Sequence, residues 1–117
     1  MGEQTLCWSK LRRDALDETI LAELGGENKA ETTLTELYTL MEQQKDGRPG
    51  TLLVDGTWNV FYIRDLQGVL RAVFVYWYDG GWSVGADSVG DPDGWCAGYR
   101  VFSRRSGALV QSEPSAA

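Results

Sequence analysis

The chain has 117 residues, 11 basic and 17 acidic side chains, no histidine and a net charge of −6. This length predicts one domain with a modest core, and the lack of histidine removes the commonest general base and metal ligand. The acidic balance argues against general nucleic-acid binding, which depends on the neutralisation of phosphates.

Targeting signals are not visible in the sequence. No apolar run is long enough for a membrane span, and the first residues lack a basic start followed by an apolar core. We therefore expect a cytoplasmic protein without a membrane partner. The two cysteines, Cys7 and Cys96, lie far apart and lack zinc-type spacing, so reduced thiols are expected, with a disulfide as the alternative.

Two amphipathic helices are predicted in the first part of the chain. Residues 11–24 place apolar side chains near one face, and Gly25 follows as a helix terminator. Residues 29–45 should form a second helix, with Asn28 as the N-cap and Glu31 in a capping box. Two such helices joined by a short loop most often cover one face of a sheet.

A meander of three antiparallel strands is predicted next. The chain has five Trp, five Tyr and three Phe, and eight of these thirteen aromatic residues lie within residues 57–87. Aromatic and β-branched residues favour strands, and Asp-Gly combinations favour the turns between them. The predicted strands cover residues 58–64, 69–78 and 82–86, and the turns cover residues 65–68 and 79–81.

The remaining segments complete an α+β fold with two N-terminal helices packed on one face of an antiparallel three- to five-stranded meander sheet. Residues 51–54 are a short strand at the sheet edge or a buried connector, and residues 87–98 form a loop anchored by Trp95. Residues 99–103 form a last strand. The predicted domain covers residues 1–105, with a helical part at about 8–46 and a sheet part at about 51–105, and residues 106–117 form a flexible tail.

The first hairpin predicts which side chains share a sheet face. If Arg64 pairs with Val69, one face carries two arginines and several aromatic side chains, namely Trp58, Val60, Tyr62, Arg64, Val69, Arg71, Val73, Val75 and Trp77. The other face carries no charge, so we expect it to lie under the helices, with a core of Phe61, Ile63, Phe74, Tyr76, Leu37 and Met41. A slip of one residue would mix the two sets. The alternative is that both faces are covered.

The run of residues 59–104 resembles a group of small uncharacterised proteins from uncultivated candidate-phyla bacteria. The shared pattern is matched by Asn59-Val60-Phe61-Tyr62-Ile63-Arg64-Asp65, Gly68-Val69-Leu70-Arg71-Ala72-Val73, Gly81-Trp82-Ser83-Val84, Pro92 and Val101-Phe102-Ser103-Arg104. The resemblance covers about 40% of the chain. It implies a domain shared by a family and brings no activity with it.

No arrangement of residues predicts catalysis, a cofactor or a metal site. Asp87, Asp91 and Asp93 faintly resemble a calcium loop, but their spacing and the missing terminal Glu do not fit an EF-hand. The serines have no visible base partner, and no pair of carboxylates is singled out for glycoside chemistry. We therefore expect that the protein is not an enzyme and has no cofactor.

The composition of the predicted sheet favours a binding function. We expect a small interaction module that binds a macromolecular partner, a protein or a second copy of the chain, through Trp58, Tyr62, Arg64, Arg71 and Trp77. One alternative is a binder of a ligand or single-stranded nucleic acid, in which Trp58, Tyr62 and Trp77 stack on bases or sugars while Arg64, Arg71 and Arg100 meet phosphates. A further alternative is an acidic inhibitor of a nucleic-acid-binding protein.

Overall fold

A computed structural model describes residues 6–90 and 94–104. The elements in chain order are β1 (Cys7–Lys10), α1 (Asp17–Leu24), α2 (Glu27–Ala30), β2 (Glu31–Thr32), α3 (Leu34–Gln43), β3 (Asn59–Arg64), β4 (Leu70–Tyr78), β5 (Gly81–Ser88) and β6 (Arg100–Ser103). The predicted α+β class is therefore confirmed. None of the helices in the described ranges is long and apolar enough to cross a membrane.

The sheet is mixed, although antiparallel contacts dominate it. Its strand order is β1-β6-β3-β4-β5, and β2 pairs with β3 off this path. The meander β3-β4-β5 is antiparallel as predicted, and β1 pairs antiparallel with β6. The parallel pairs β3–β6 and β2–β3 correct the prediction of a purely antiparallel sheet. The first of them brings the end of the described chain beside the central strand.

The register of the first hairpin differs by one residue from the prediction. Arg64 pairs with Leu70 rather than with Val69. The cause is the side chain of Asp65, whose Oδ1 accepts from the N–H groups of Gln67 and Val69, each at 2.9 Å. The loop therefore closes between Asp65 and Val69, and the residues of β4 exchange faces relative to those of β3.

Each face of the sheet carries its own core. One face packs on α1, with a core of Leu11, Ile20, Leu21, Leu24, Ala30, Val60, Tyr62, Leu70, Ala72, Trp95 and Val101. The other packs on α3, with a core of Leu37, Leu52, Phe61, Ile63, Val73, Val75 and Phe102. The helices thus lie on opposite faces, which corrects the predicted helical hairpin on one face. The alternative in which both faces carry a cover is closer to the structure, because α1 packs on one side and α3 packs on part of the other.

The first helix begins later than predicted, at Asp17. Leu11 follows β1 directly and stays attached to the sheet, because its N–H donates to the carbonyl of Tyr99 at 2.9 Å and its carbonyl accepts from Gly98. Leu11 is therefore buried as part of the sheet rather than as part of a helix. The predicted end of the helix is confirmed, since Gly25 has a φ of 98° and terminates α1.

The second predicted helix is broken in two by a short strand. Thr32 enters the sheet beside Ile63, and its hydroxyl donates to the carbonyl of Tyr62 at 3.1 Å. The capping box lies at Thr33 and Glu36 rather than at the predicted residues Asn28 and Glu31. Pairing with the central strand therefore outweighs the helical preference of this segment.

The segments between elements are tied to the core by side-chain amides. Residues 51–54 form a connector, whose Leu52 N–H donates to Oε1 of Gln44 and whose Leu52 carbonyl accepts from Nε2 of the same side chain. Asn59 likewise bonds to both backbone groups of Leu53. The predicted tail, residues 106–117, lies outside the described residues.

Candidate functional site

The five predicted binding residues do not form one surface. The observed register places Trp58, Tyr62 and Arg64 on the α1 side of the sheet, and Arg71 and Trp77 on the α3 side. Tyr62 is fully buried, and the other four side chains are half-buried. The structure therefore divides the predicted aromatic and arginine face into two parts, separated by the thickness of the sheet.

Tyr62 belongs to a buried hydrogen-bond cluster around Asp17. Its hydroxyl donates to Oδ1 of Asp17 at 2.6 Å, and Nε1 of Trp95 donates to the same oxygen at 2.6 Å. The N–H of Gly90 donates to Oδ2 at 2.9 Å. Burial, the negative charge of Asp17 and this hydrogen bond raise the pKa of Tyr62 far above its ordinary value. The cluster joins α1, the central strand and the segment after β5, which is a structural role.

Trp58 lies at the centre of a cluster of aromatic rings on the α1 side. Its ring stacks on Phe74 at 4.2 Å between centroids with an interplanar angle of 6°, and it lies 5.4 Å from Tyr76 and 5.5 Å from Tyr99. Trp95 meets the cluster at a tilt. The faces of these rings are thus largely occupied by one another.

The arginines of the predicted site are engaged with acidic partners. Arg64 donates to Glu31 at 3.0 Å and to Glu27 at 3.1 Å, and these two carboxylates raise the pKa of its guanidinium. Arg71 donates to Asp65 at 3.0 Å and to the hydroxyl of Ser88 at 3.2 Å. A phosphate would have to displace these carboxylates.

Two further arginines near the sheet, Arg100 and Arg104, also have partners. Arg100, which the nucleic-acid alternative assigns to phosphates, donates to the carbonyl of Thr51 at 2.6 Å and lies over the ring of Trp8. Arg104 forms two hydrogen bonds with Glu36. These contacts do not form the cationic groove on which single-strand binding depends.

Trp77 closes one end of the α3 side of the sheet. Its ring meets Trp82 edge to face at a centroid distance of 5.0 Å. A Cβ at Gly47 would lie 2.4 Å from the Trp77 ring, so only glycine fits there. Nε1 of Trp82 donates to the carbonyl of Gln44 at 3.0 Å. These contacts fix the C-terminal end of α3 over β4 and β5.

An apolar groove lies between α3 and β5 on this same side of the sheet. We name it the α3–β5 groove, and its volume is about 360 Å³. Its lining consists of Leu34, Ile63, Arg64, Asp65, Arg71, Val73, Val84, Gly85 and Ala86. Ile63 and Val73 belong to the core, so the floor of the groove consists of well-packed side chains. Asp65 and Arg71 supply polar groups.

The walls of the groove expose large apolar side chains. Leu34 is 46% exposed and Val84 is 44% exposed, on opposite sides of the opening. Leu34 also borders a second depression along the outer side of α3, where Tyr38 is 53% exposed. The apolar surface therefore continues from β5 across the groove onto the helix.

The sequence did not predict this groove for two reasons. Both helices were expected on the same face of the sheet, and the register of the first hairpin was wrong by one residue. A signal exists in the i, i+4 spacing of Leu34 and Tyr38, which lie on one side of α3 beside the buried Leu37. On β5, Val84 and Ala86 alternate with Ser83 and Gly85. The alternation marks one face as apolar, although the sequence alone does not show that α3 leaves this part of the sheet uncovered.

Metal-binding side chains do not come together in the described part of the chain. Residues 6–90 and 94–104 contain no group of three or more acidic or cysteine side chains that could hold a metal ion. Asp91 and Asp93 of the faint calcium-loop pattern lie outside these ranges. Cys7 and Cys96 are free thiols.

Comparisons of this chain with protein families, with curated proteins and with solved structures find no match. The resemblance of residues 59–104 to the group from candidate-phyla bacteria therefore stays a prediction.

Proposed function

We propose that this chain is a small interaction module that binds a protein partner through the α3–β5 groove. The observation that supports the proposal is the exposure of Leu34 and Val84 on either side of an apolar floor. Exposed apolar surface in a continuous patch is typical of a site that another molecule covers. The proposal assigns no chemical reaction to the chain.

The composition of the groove is suited to a protein partner. A protein interface has an apolar centre and a polar rim, and here Ile63 and Val73 form the floor while Asp65 and Arg71 provide the rim. The 3.0 Å ion pair between Asp65 and Arg71 keeps this rim neutral overall. Arg71 and Trp77, two of the five residues predicted from the sequence, lie on this side of the sheet.

A selection from random peptides displayed on phage tests the proposal. The wild-type chain is immobilised, and the dissociation constant of each selected peptide is then measured by fluorescence anisotropy. Leu34→Glu and Val84→Glu should each weaken binding by about tenfold or more, because each places a charge on the covered apolar surface. Peptides whose binding is indifferent to both substitutions would overturn the proposed site.

Leu16→Glu provides a matched control for Leu34→Glu. Leu16 is 47% exposed, close to the 46% of Leu34, and it lies immediately before α1, which packs on the opposite face of the sheet. Its substitution should leave the dissociation constant unchanged. Equal losses for Leu16→Glu and Leu34→Glu would show that binding depends on general surface apolarity rather than on the groove.

A second candidate function is the stacking of a ligand or single-stranded nucleic acid on the aromatic cluster. It is supported by the near-parallel rings of Trp58, Tyr76 and Tyr99, which are half-buried. Against it stand the net charge of −6 and the mutual stacking of the rings. Labelled single-stranded oligonucleotides at low salt test this function, and Trp58→Leu should abolish any binding that occurs by stacking.

A further inference from the structure

One edge of the sheet is formed by β5 (Gly81–Ser88), which is unusually long and regular for an edge strand. It forms eight consecutive pairs with β4, from Tyr78 with Gly81 to Arg71 with Ser88, without a bulge. Proline, lysine and bulges are the usual means by which an edge strand avoids pairing with another chain. This strand has none of them, and Asp87 is its one charged residue.

The tight turn before β5 determines which of its backbone groups point outward. The two-residue loop has a φ of 54° at Asp79 and 80° at Gly80, which are the values of a type I′ turn. Such a turn closes between two residues that exchange both backbone hydrogen bonds, here Tyr78 and Gly81. At alternate residues the backbone N–H and carbonyl groups then point away from β4. These residues are Trp82, Val84, Ala86 and Ser88.

The first hairpin gives the same result independently. The N–H of Asp65 donates to the carbonyl of Val69 at 2.9 Å. Because hydrogen-bonded pairs alternate along an antiparallel ladder, Val73 bonds to β3 and its neighbour Phe74 bonds to β5. Phe74 pairs with Gly85. The backbone N–H and carbonyl of Gly85 therefore point toward β4, and those of Val84 and Ala86 point away from it.

The outward residues are also those that border the groove. Val84 and Ala86 have their side chains on the α3 side, where they line it. In a β-ladder, side chains of directly paired residues lie on the same face, so a strand added beside β5 would present alternate side chains to this wall. Its other side chains would lie beside Ser83, Gly85 and the carboxylate of Asp87.

We propose that an extended segment of a partner protein adds to β5 as a further strand, with bulky apolar side chains at alternate positions and basic side chains between them. The apolar side chains lean over Val84 and Ala86 into the groove, and the basic ones meet Asp87 and the negative charge of the chain, which is −6 in total. This inference rests on the proposed function, since it specifies how the partner occupies the groove. The opposite edge, β1, has only four residues and includes Lys10.

Amide hydrogen exchange measured by NMR on the wild-type chain tests strand addition directly. Without a peptide, the amides of Val84 and Ala86 should exchange much faster than those of Ser83 and Gly85, which bond to β4. Binding of a peptide selected on the wild-type chain should slow exchange at Val84 and Ala86 by about tenfold or more. A peptide that binds the groove without this protection, for example as a helix, would overturn strand addition and leave the proposed function intact.

A substitution in β5 distinguishes strand addition from binding in the groove without strand pairing. Ala86→Pro removes one outward N–H and should weaken the selected peptide by about tenfold, whereas Ala86→Val keeps the N–H and should not. Loss of binding with Val84→Glu but not with Ala86→Pro supports the groove and overturns strand addition. No loss with either substitution overturns both.

The peptide itself allows a measurement that does not depend on the folding of any variant. Methylation of the backbone nitrogens of the peptide that would donate to β5, which are every second one, should abolish binding to the wild-type chain. Methylation of the intervening nitrogens should not. Equal effects of the two patterns would overturn the inference. Protection of Val84 and Ala86 that rises with the concentration of the chain alone would instead assign this edge to a second copy.

Discussion

The hydroxyl of Tyr62 donates to Oδ1 of Asp17 at 2.6 Å inside the core, although the two residues lie 45 positions apart in the chain. Asp17 also accepts from Trp95 and Gly90 and is fully buried. A buried carboxylate is tolerated when several donors satisfy it. This side chain therefore fixes three separate segments at one point.

Replacement of this carboxylate should be among the more costly polar substitutions in the described chain. Asp17→Asn keeps the size of the side chain but turns an NH₂ group toward donors, so we expect a loss of about 2–4 kcal/mol in the free energy of unfolding. Urea denaturation measures this loss. Asp14→Asn is the control, because Asp14 is exposed and accepts only from the N–H of Ala97 among the bonds described. Equal losses for both would contradict the structural role of Asp17.

The raised pKa of Tyr62 predicts a loss of stability in alkali. The pKa of Tyr62 in the folded state lies above the ordinary value of 10.0. The stabilisation that this difference provides is complete below pH 10, and it is lost as the pH rises and the unfolded state releases the phenol proton. Urea denaturation at increasing pH should show a shallower decline in Tyr62→Phe than in wild type. Absorbance at 295 nm should show one tyrosine that ionises only on unfolding. The exposed Tyr38, changed to Phe, is the control and should leave the decline unchanged.

Two glycines of β5 should respond differently to the same substitution. A Cβ at Gly85 would lie 2.4 Å from the ring of Phe74, which stacks on Trp58, whereas a Cβ at Gly81 meets nothing within 4 Å. Gly85→Ala should therefore cost about 1–3 kcal/mol through displacement of these rings, and Gly81→Ala should be nearly neutral. Urea denaturation gives the cost, and near-UV circular dichroism reports the aromatic rings. A neutral Gly85→Ala would mean that Phe74 moves freely.

The meander and its turns could be predicted from the sequence because they depend on local chemistry. Aromatic and β-branched runs favoured the strands, and Asp79-Gly80 has the positive φ values of a type I′ turn. The register could not be predicted, because one side chain, Asp65, decides where the first loop closes. The five residues Asn59–Ile63 are all buried, so β3 shows no alternation that marks an exposed face.

The remaining errors come from contacts between distant parts of the chain. The short strand β2 interrupts a helical pattern because it pairs with β3. Glu31 lies opposite Tyr62, which is 31 residues later in the chain. Asp17 resembles an ordinary solvated residue of a helix, and its burial depends on Trp95, which is 78 positions away. The separation of Trp58 and Arg71 onto two faces has a different origin, because it follows directly from the register of the first hairpin. Local patterns carry no information about such pairings.

An ion pair joins α3 to the end of β6. The two terminal nitrogens of Arg104 donate to the two carboxylate oxygens of Glu36, at 2.5 and 2.6 Å. Oε1 of Glu36 also accepts from the N–H of Thr33 at 3.0 Å, which completes the capping box. Burial raises the pKa of Glu36, but the hydrogen bonds from Arg104 and Thr33 outweigh it and hold the pKa below 4.5.

A carboxyl whose folded pKa is lowered stabilises the fold above its unfolded value, and this contribution disappears as the pH falls through the folded value. Glu36→Gln retains a capping box but removes the charge. It should lower the free energy of unfolding by about 1–3 kcal/mol at neutral pH, and the difference from wild type should shrink from about pH 5 downward. Urea denaturation across this range provides the measurement.

Glu42→Gln, on the same helix and 75% exposed, should have little effect at any pH. A difference for Glu36→Gln that stays constant down to pH 3 would show that the bonds to Arg104 do not depend on the charge of the carboxylate.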